Sequence, residues 1–134
     1  MSAPSNTNLL AMPMVELSVI TGTNEDWIDS LVFLVGEGDP SDLPQLDLTG
    51  IDFEMEVRRN IDDSEVAIRA STKDGTLMIG EPPNFGYLLI NISHEQMKIQ
   101  SPGLYTADIV GTDAFAVRRV ILADIELVEG ITRP

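Results

Sequence analysis

The sequence predicts an all-β domain, an antiparallel sandwich of about eight strands with one short helical turn. Three observations carry this prediction. Apolar and polar residues alternate without a break from Ile51 to Val57, as in a strand with one buried face. Similar short segments recur along the chain between turns rich in Gly, Pro, Asn and Asp. Finally, Ile99, Gly103 and Tyr105 have the arrangement of a tyrosine corner, which favours an immunoglobulin-like sandwich over a closed barrel.

The composition limits the domain organisation and the classes of function. The 134 residues, of which 43% are hydrophobic, fit one domain: a flexible N-terminal arm at residues 1–13, rich in Ser, Asn, Thr and Pro, and a sandwich at residues 14–134. The absence of cysteine excludes disulfides and cysteine-bound metals. A net charge of −14 disfavours nucleic acid and membrane surfaces as partners. We also expect no membrane anchor, because no apolar run approaches about 20 residues. We expect no secretion signal, because the N-terminus lacks a basic segment and Pro13 interrupts its apolar residues.

The first half of the chain predicts three strands. Residues 15–20 form the first, and residues 30–35 form a second that is apolar enough to lie centrally or to be buried on both faces. Residues 36–44 form a loop rich in Gly, Asp and Pro. The third strand is the alternating stretch, and its predicted inward residues are Ile51, Phe53, Met55 and Val57.

The second half predicts further strands at residues 65–71, 76–79, 87–93, 105–109 and 116–128. Asp74-Gly75 predicts a tight type I′ hairpin between the first two of these, because that turn needs positive φ at both central residues. Ser93 is expected to cap a helical turn over residues 94–97. On the last strand, the residues predicted to face inward are Ile121, Ala123, Ile125 and Leu127.

No motif points to catalysis. His94 is the only histidine, and no Gly-x-Ser-x-Gly segment is present to supply a nucleophile. We therefore expect a surface histidine, no enzymatic activity and no catalytic residue.

The carboxylates are numerous but spread out. One group surrounds Trp27 and a second lies in the following loop; their members are Glu25, Asp26 and Asp29, then Glu37, Asp39, Asp42 and Asp47. Neither group matches the EF-hand pattern, so we expect no metal or cofactor. Calcium binding is the alternative, because loops of this kind can bind it. A third group, Asp52, Glu54 and Glu56, should form a solvent-facing or interface surface. Two dibasic pairs, Arg58-Arg59 and Arg118-Arg119, are too few for a nucleic-acid groove.

Three aromatic residues suggest an alternative function. Trp27, Phe85 and Tyr87 could form a platform on which a sugar ring stacks. An aromatic content of 5% is low for a carbohydrate-binding surface, so core packing is the favoured interpretation. An exposed Trp27 would favour a glycan- or cell-surface-binding module, and a buried Trp27 would weaken it.

The order of several segments resembles a family of bacteriophage structural domains. The segments are Asn24-Glu25-Asp26-Trp27, Leu46-Asp47-Leu48-Thr49-Gly50, the strand ending in Val57-Arg58, Pro102-Gly103-Leu104-Tyr105-Thr106-Ala107-Asp108-Ile109, and Glu129-Gly130-Ile131-Thr132-Arg133. Together they are similar to the immunoglobulin-like domain of phage tail and baseplate proteins, including the N-terminal domain of lactococcal-phage upper baseplate proteins and small structural proteins of proteobacterial phages. The resemblance extends from Val15 to Arg133.

This resemblance implies a structural function. The chain would be a virion component of a tailed phage or prophage, made in the host cytoplasm, with other phage proteins as partners and a homo-oligomeric state. Two departures separate it from the longer relatives. The loop at residues 36–45 is longer than expected, and no receptor-binding or fibre domain follows. We therefore do not expect the baseplate role of those relatives to carry over unchanged.

Overall fold

A computed structural model describes residues 9, 12, 14–36, 38–60 and 62–129. These residues contain eight strands, one single-turn 3₁₀ helix at Pro40–Asp42 and one short α-helix, α1, at His94–Met97. The strands are β1 Val15–Gly22, β2 Trp27–Val32, β3 Asp52–Arg58, β4 Ile68–Ser71, β5 Leu77–Ile79, β6 Tyr87–Ile92, β7 Gly103–Thr112 and β8 Val117–Val128. No helix within this described part is long and apolar enough to cross a membrane.

The strands form two sheets, and the prediction of an all-β sandwich is confirmed. The larger sheet has the order β1-β8-β7-β3-β4 and the smaller one the order β2-β6-β5. In immunoglobulin terms, β2-β6-β5 corresponds to strands B-E-D and β3-β7-β8 to C-F-G. Strand β1 lies in the larger sheet, where it pairs in parallel with β8. This parallel pair is the exception to the predicted antiparallel arrangement, because all other strand pairs are antiparallel.

The alternating stretch from Ile51 becomes the central strand β3 of the larger sheet. All four residues predicted to face inward, Ile51, Phe53, Met55 and Val57, are buried. The same holds for the predicted inward residues of β8, from Ile121 to Leu127. Full burial of such side chains stabilises the fold by roughly 1.5–3 kcal/mol each, so one-sided strands that face each other produce the core.

Most of the predicted N-terminal arm, residues 1–13, lies outside the described residues. Two of its members are described, and both Leu9 and Met12 are buried in the core. Leu9 reaches the end of the larger sheet: a Cβ placed on Gly111 would lie 3.0 Å from Leu9 Cδ1 and 3.3 Å from Phe53. The apolar side chains at these two positions pack against this end of the sandwich, and the flexible arm stays a prediction for the rest of residues 1–13.

Strand β2 differs from its prediction. It begins at Trp27 and ends at Val32, and it forms an edge of the smaller sheet instead of lying centrally. Ile28 is 68% exposed, and Val32 is exposed as well. An apolar run could not distinguish this arrangement, because its residues point to opposite faces of a strand and only one face meets the core.

The predicted hairpin at Asp74-Gly75 is also wrong, because β4 and β5 belong to different sheets. Gly75 has a φ of +83°, but no described residue other than glycine has a positive φ, so Asp74 cannot supply a type I′ turn. Side chains complete this corner instead. Thr76 Oγ1 accepts from the Ser71 amide at 2.9 Å, and Asp74 Oδ1 accepts from the Thr76 amide at 2.9 Å.

The tyrosine corner is present at the start of β7. The hydroxyl of the buried Tyr105 donates to the carbonyl oxygen of Ser101 at 2.6 Å. Gly103 has a φ of +144°, which favours glycine, and the Arg59 guanidinium lies 4.6 Å from the centre of the Tyr105 ring. Ile99 is 74% exposed and so does not belong to the corner, which corrects that part of the prediction.

Candidate functional site

Trp27, the residue on which the glycan-binding alternative depended, is 2% exposed. It starts β2, pairs with Ile92 of β6 and faces the core. Its indole Nε1–H donates to Asp29 Oδ2 at 3.0 Å, so its one polar group is satisfied within the strand. A side chain in this state offers no face on which a sugar could stack, and the alternative is weakened.

The three aromatic residues also fail to meet in one platform. Tyr87 pairs with Val32, whereas Trp27 pairs with Ile92, five positions away along β2 and β6. Five residues span about 17 Å, and an odd separation places the two rings on opposite faces of the sheet. Phe85 is partly buried in the preceding loop, where its carbonyl accepts from the Leu48 amide at 3.0 Å.

His94 is exposed, as predicted, and forms a pair with Asp26. Asp26 Oδ1 accepts from the His94 main-chain amide at 2.6 Å and lies 3.0 Å from His94 Nδ1. The other ring nitrogen, Nε2, lies 3.8 Å from Glu95 Oε1. The imidazole therefore has one carboxylate near each nitrogen.

This pair caps helix α1 from a distant part of the chain. The Ser93 side chain makes no capping hydrogen bond, contrary to prediction, although its carbonyl accepts from the Gln96 and Met97 amides. Asp26 supplies the missing acceptor for the first turn. The hydrogen bond from the His94 amide, followed by that from the ring, lowers the pKa of Asp26 below its ordinary value. The arrangement joins the β1–β2 turn to α1, and the described ionisable groups paired with the His94 ring are the carboxylates of Asp26 and Glu95.

The carboxylates of the following loop serve local turns. Asp39 Oδ1 accepts from the Ser41 amide at 3.0 Å and from its hydroxyl at 2.9 Å, which lowers the pKa of Asp39. Asp47 Oδ1 accepts from the Thr49 amide at 2.9 Å. Glu37 lies outside the described residues. Across the described ranges, no three or more His, Asp or Glu side chains are placed to hold one metal ion.

The acidic outer face of β3 forms an ion-pair network with its neighbours. Glu56 lies directly opposite Asp108 of β7, a like-charge pairing that costs stability. Arg58 Nη2 and Arg69 Nη1 lie 2.8 and 2.7 Å from the Glu56 carboxylate. Arg119 Nε lies 3.0 Å from Asp108 Oδ2. One member of each dibasic pair, Arg58 and Arg119, therefore pairs with a carboxylate of this face. Asp52 and Glu54 are exposed at the other end of the strand.

Comparison of the chain with protein-family models gave no match, and a search of curated proteins gave none either.

The local sequence pattern did not predict that β1 lies at an edge of its sheet. Strand β1 lies at an edge of the larger sheet, with β8 on one side and no other described strand on the other. The alternation of Val15, Leu17 and Val19 with polar residues was visible as a strand signal. Its place at an edge follows from the parallel pairing with a strand about a hundred residues later, which no local pattern encodes.

Proposed function

We propose that this protein is a structural component of the virion of a tailed bacteriophage or prophage, at the tail, baseplate, neck or head surface. It acts through protein–protein contacts and performs no catalysis. One observation carries the proposal. The segments that resemble phage structural domains lie at the turns and strand starts that determine the shape of the sandwich. Segments that define corners are the ones that a shared fold needs in the same order.

The first of these segments connects β1 and β2. Within it, Asp26 caps α1 and Trp27 fills the core. This one turn therefore joins the beginning of the smaller sheet to the helix that follows β6.

The second segment leads into β3. Leu46 and Leu48 are buried, Asp47 orders the turn by accepting from the Thr49 amide, and Gly50 has a φ of +87°. The glycine conformation and the paired leucines set the point at which β3 begins.

The third segment is the alternating strand that ends in Val57-Arg58 and forms β3. The fourth segment, residues 102–109, contains Gly103 and Tyr105 of the tyrosine corner and runs into β7. The last segment, residues 129–133, lies outside the described residues except for Glu129. The resemblance thus rests on four described segments whose residues have defined structural roles.

In the proposed function the protein is made in the host cytoplasm and becomes part of the particle. Its partners are other phage structural proteins and further copies of itself. An acidic outer surface suits contacts with basic faces of neighbouring subunits, because complementary charge guides association and fixes orientation.

Co-sedimentation tests the proposal. Particles from a lysate of the encoding strain are banded in a density gradient, and the protein is followed by immunoblot across the fractions. We expect it to peak with the major capsid protein and to stay there after a high-salt wash. Recovery only at the top of the gradient, together with an acidic host protein used as a control, would contradict the proposal.

A further inference from the structure

Four strands form the edges of the two sheets, and three of them are protected against pairing with another chain. Strands β4 and β5 are short, with four and three residues. On β2, Asp29 has the same parity as Trp27 and Leu31 and so points to the inner side of the edge. Short strands and inward-pointing charges are two of the devices that prevent strand addition.

Strand β1 has none of these devices. It is eight residues long and contains no proline, lysine or arginine. Its inward residues Val15, Leu17 and Val19 are only partly buried. Leu17 and Val19 border an apolar cleft of about 30 Å³ that opens between β1 and β2, beside Trp27 and Leu31. Among the described strands, none pairs with the second side of β1, and partly exposed apolar side chains line this edge, so an extended segment with alternating apolar side chains fits it.

Two hydrogen bonds show which backbone groups of β1 point outward. The Thr23 amide donates to the Val128 carbonyl of β8, whereas the Gly22 amide donates to the Glu25 carboxylate at 3.1 Å instead of to β8. Because the backbone groups of successive residues alternate in direction along a strand, those of Glu16, Ser18 and Ile20 face the open edge. Glu25 already occupies the outward amide of Gly22 and so closes the edge at that end.

We propose that β1 pairs antiparallel with β1 of a second copy, in the register centred on Ser18. Ser18 then lies opposite its own equivalent, and Glu16 lies opposite Ile20. About six backbone hydrogen bonds form, because Glu16, Ser18 and Ile20 of each chain each present one outward N–H and one outward C=O group. The two five-stranded sheets become one continuous sheet across a two-fold axis. In naming this contact, the inference rests on the proposed assembly role.

Side-chain complementarity favours a second copy as the occupant. On the inner face, Leu17 lies opposite Val19 of the other chain, so partly exposed apolar side chains cover each other. On the outer face, Glu16 meets Ile20, which is 71% exposed, and no carboxylate lies directly opposite another. Registers centred on Leu17 or Val19 are poorer. The first shortens the overlap, and the second needs the Gly22 amide that Glu25 occupies.

A cysteine placed on the two-fold axis tests this register. The natural chain contains no cysteine, so Ser18→Cys introduces a single thiol. Opposed residues of a hydrogen-bonded antiparallel pair have Cα atoms about 5.5 Å apart, within the range that a disulfide spans. Under mild oxidation we expect Ser18→Cys to form covalent dimers at least about tenfold faster than Ser30→Cys, an exposed position on β2, because association precedes the reaction. Equal rates would overturn the proposal.

A mixed pair of variants checks the direction of the strands. Glu16→Cys and Ile20→Cys should each dimerise slowly alone and cross-link to each other rapidly when mixed, because only the mixed pair is juxtaposed. Cross-linking of each with itself and not with the other would overturn the antiparallel register.

Sedimentation of the cysteine-free protein gives an independent measurement. We expect a concentration-dependent dimer that strengthens from low to moderate salt, because two chains of net charge −14 repel each other. Val19→Lys should abolish the dimer while leaving the circular dichroism spectrum unchanged, since it adds an inward charge to the edge. A monomer at all concentrations and salt levels would overturn the proposal, whereas a failed virion test alone would leave this solution dimer standing.

Discussion

Asp26 and His94, which are 68 positions apart in the chain, hold the first turn of the sandwich against its only described α-helix. One carboxylate oxygen accepts from the main-chain amide and contacts the ring of the same residue. This contact performs the capping that the neighbouring Ser93 leaves undone. The lowered pKa of Asp26 makes this contact depend on the pH of the solvent.

The Asp26 contact should make stability depend on pH. The pKa of Asp26 is lowered in the folded state relative to its ordinary value of 3.8, so its ionised form favours folding above that pH and the contribution is lost as pH falls through the folded value. Asp26→Asn should therefore lower the urea midpoint at pH 7, and the difference from the natural protein should shrink toward pH 3.

A companion variant separates the two hydrogen bonds of Asp26. His94→Ala keeps the main-chain amide, which has the larger effect on the pKa of Asp26, and removes only the ring. We expect most of the pH-dependent difference to survive in this background. A difference between Asp26→Asn and the natural protein that stays constant from pH 7 to pH 3 would refute the assignment.

The tyrosine corner should contribute measurably to stability. Tyr105→Phe removes the hydroxyl that donates to the Ser101 carbonyl, and we expect a loss of about 1 kcal/mol in the free energy of unfolding. Tyr87→Phe serves as the control, because no described residue accepts a hydrogen bond from the half-buried Tyr87 hydroxyl. Urea denaturation of both variants checks this expectation. Equal effects would show that the corner contributes nothing specific.

The orientation of β3 can be tested with neighbouring residues. Phe53 is fully buried and Glu54 is exposed on the opposite face. Phe53→Ala should cost about 3–5 kcal/mol by removing core contacts and leaving a cavity, whereas Glu54→Ala should stay within about 0.5 kcal/mol. If Phe53→Ala does not fold, Phe53→Leu provides a smaller truncation that urea denaturation can measure. A larger cost at Glu54 than at Phe53 would reverse the assigned faces.

Trp27 provides a direct test of the glycan-binding alternative. Because the indole is buried and bonded to Asp29, its fluorescence should be blue-shifted and poorly quenched by iodide in the native state. We expect no change when monosaccharides or host cell-wall oligosaccharides are added, and the full red shift only in denaturant. Saturable quenching by a glycan would restore the alternative.

The parts of the fold that the sequence predicted correctly depend on local alternation. The inward faces of β3 and β8 follow from a period of two, because each of these strands has one face in the core. Strand β2 was misplaced because an apolar run does not specify an edge. The Asp74-Gly75 turn was misassigned because the sequence motif cannot fix the φ of Asp74, which the crossing between sheets determines.

The features relevant to function depend on long-range contacts, which limited their prediction. Asp26 and His94 have no sequence relation that predicts their contact. Strand β1 forms an edge because it pairs with β8, about a hundred residues later, and with no other described strand. The burial of Trp27 agrees with the prediction of core packing, which followed from the low aromatic content of 5%.

The copy number of this protein per particle tests the central proposal most directly. Gradient-purified particles are digested, and isotope-labelled reference peptides from this protein and from the major capsid protein are added. Mass spectrometry then quantifies both proteins. A virion component should be present at a fixed number of several copies per particle, a number compatible with the symmetry of the tail, neck or head. Less than one copy per particle, varying between preparations like the host proteins, would contradict a structural function in the virion.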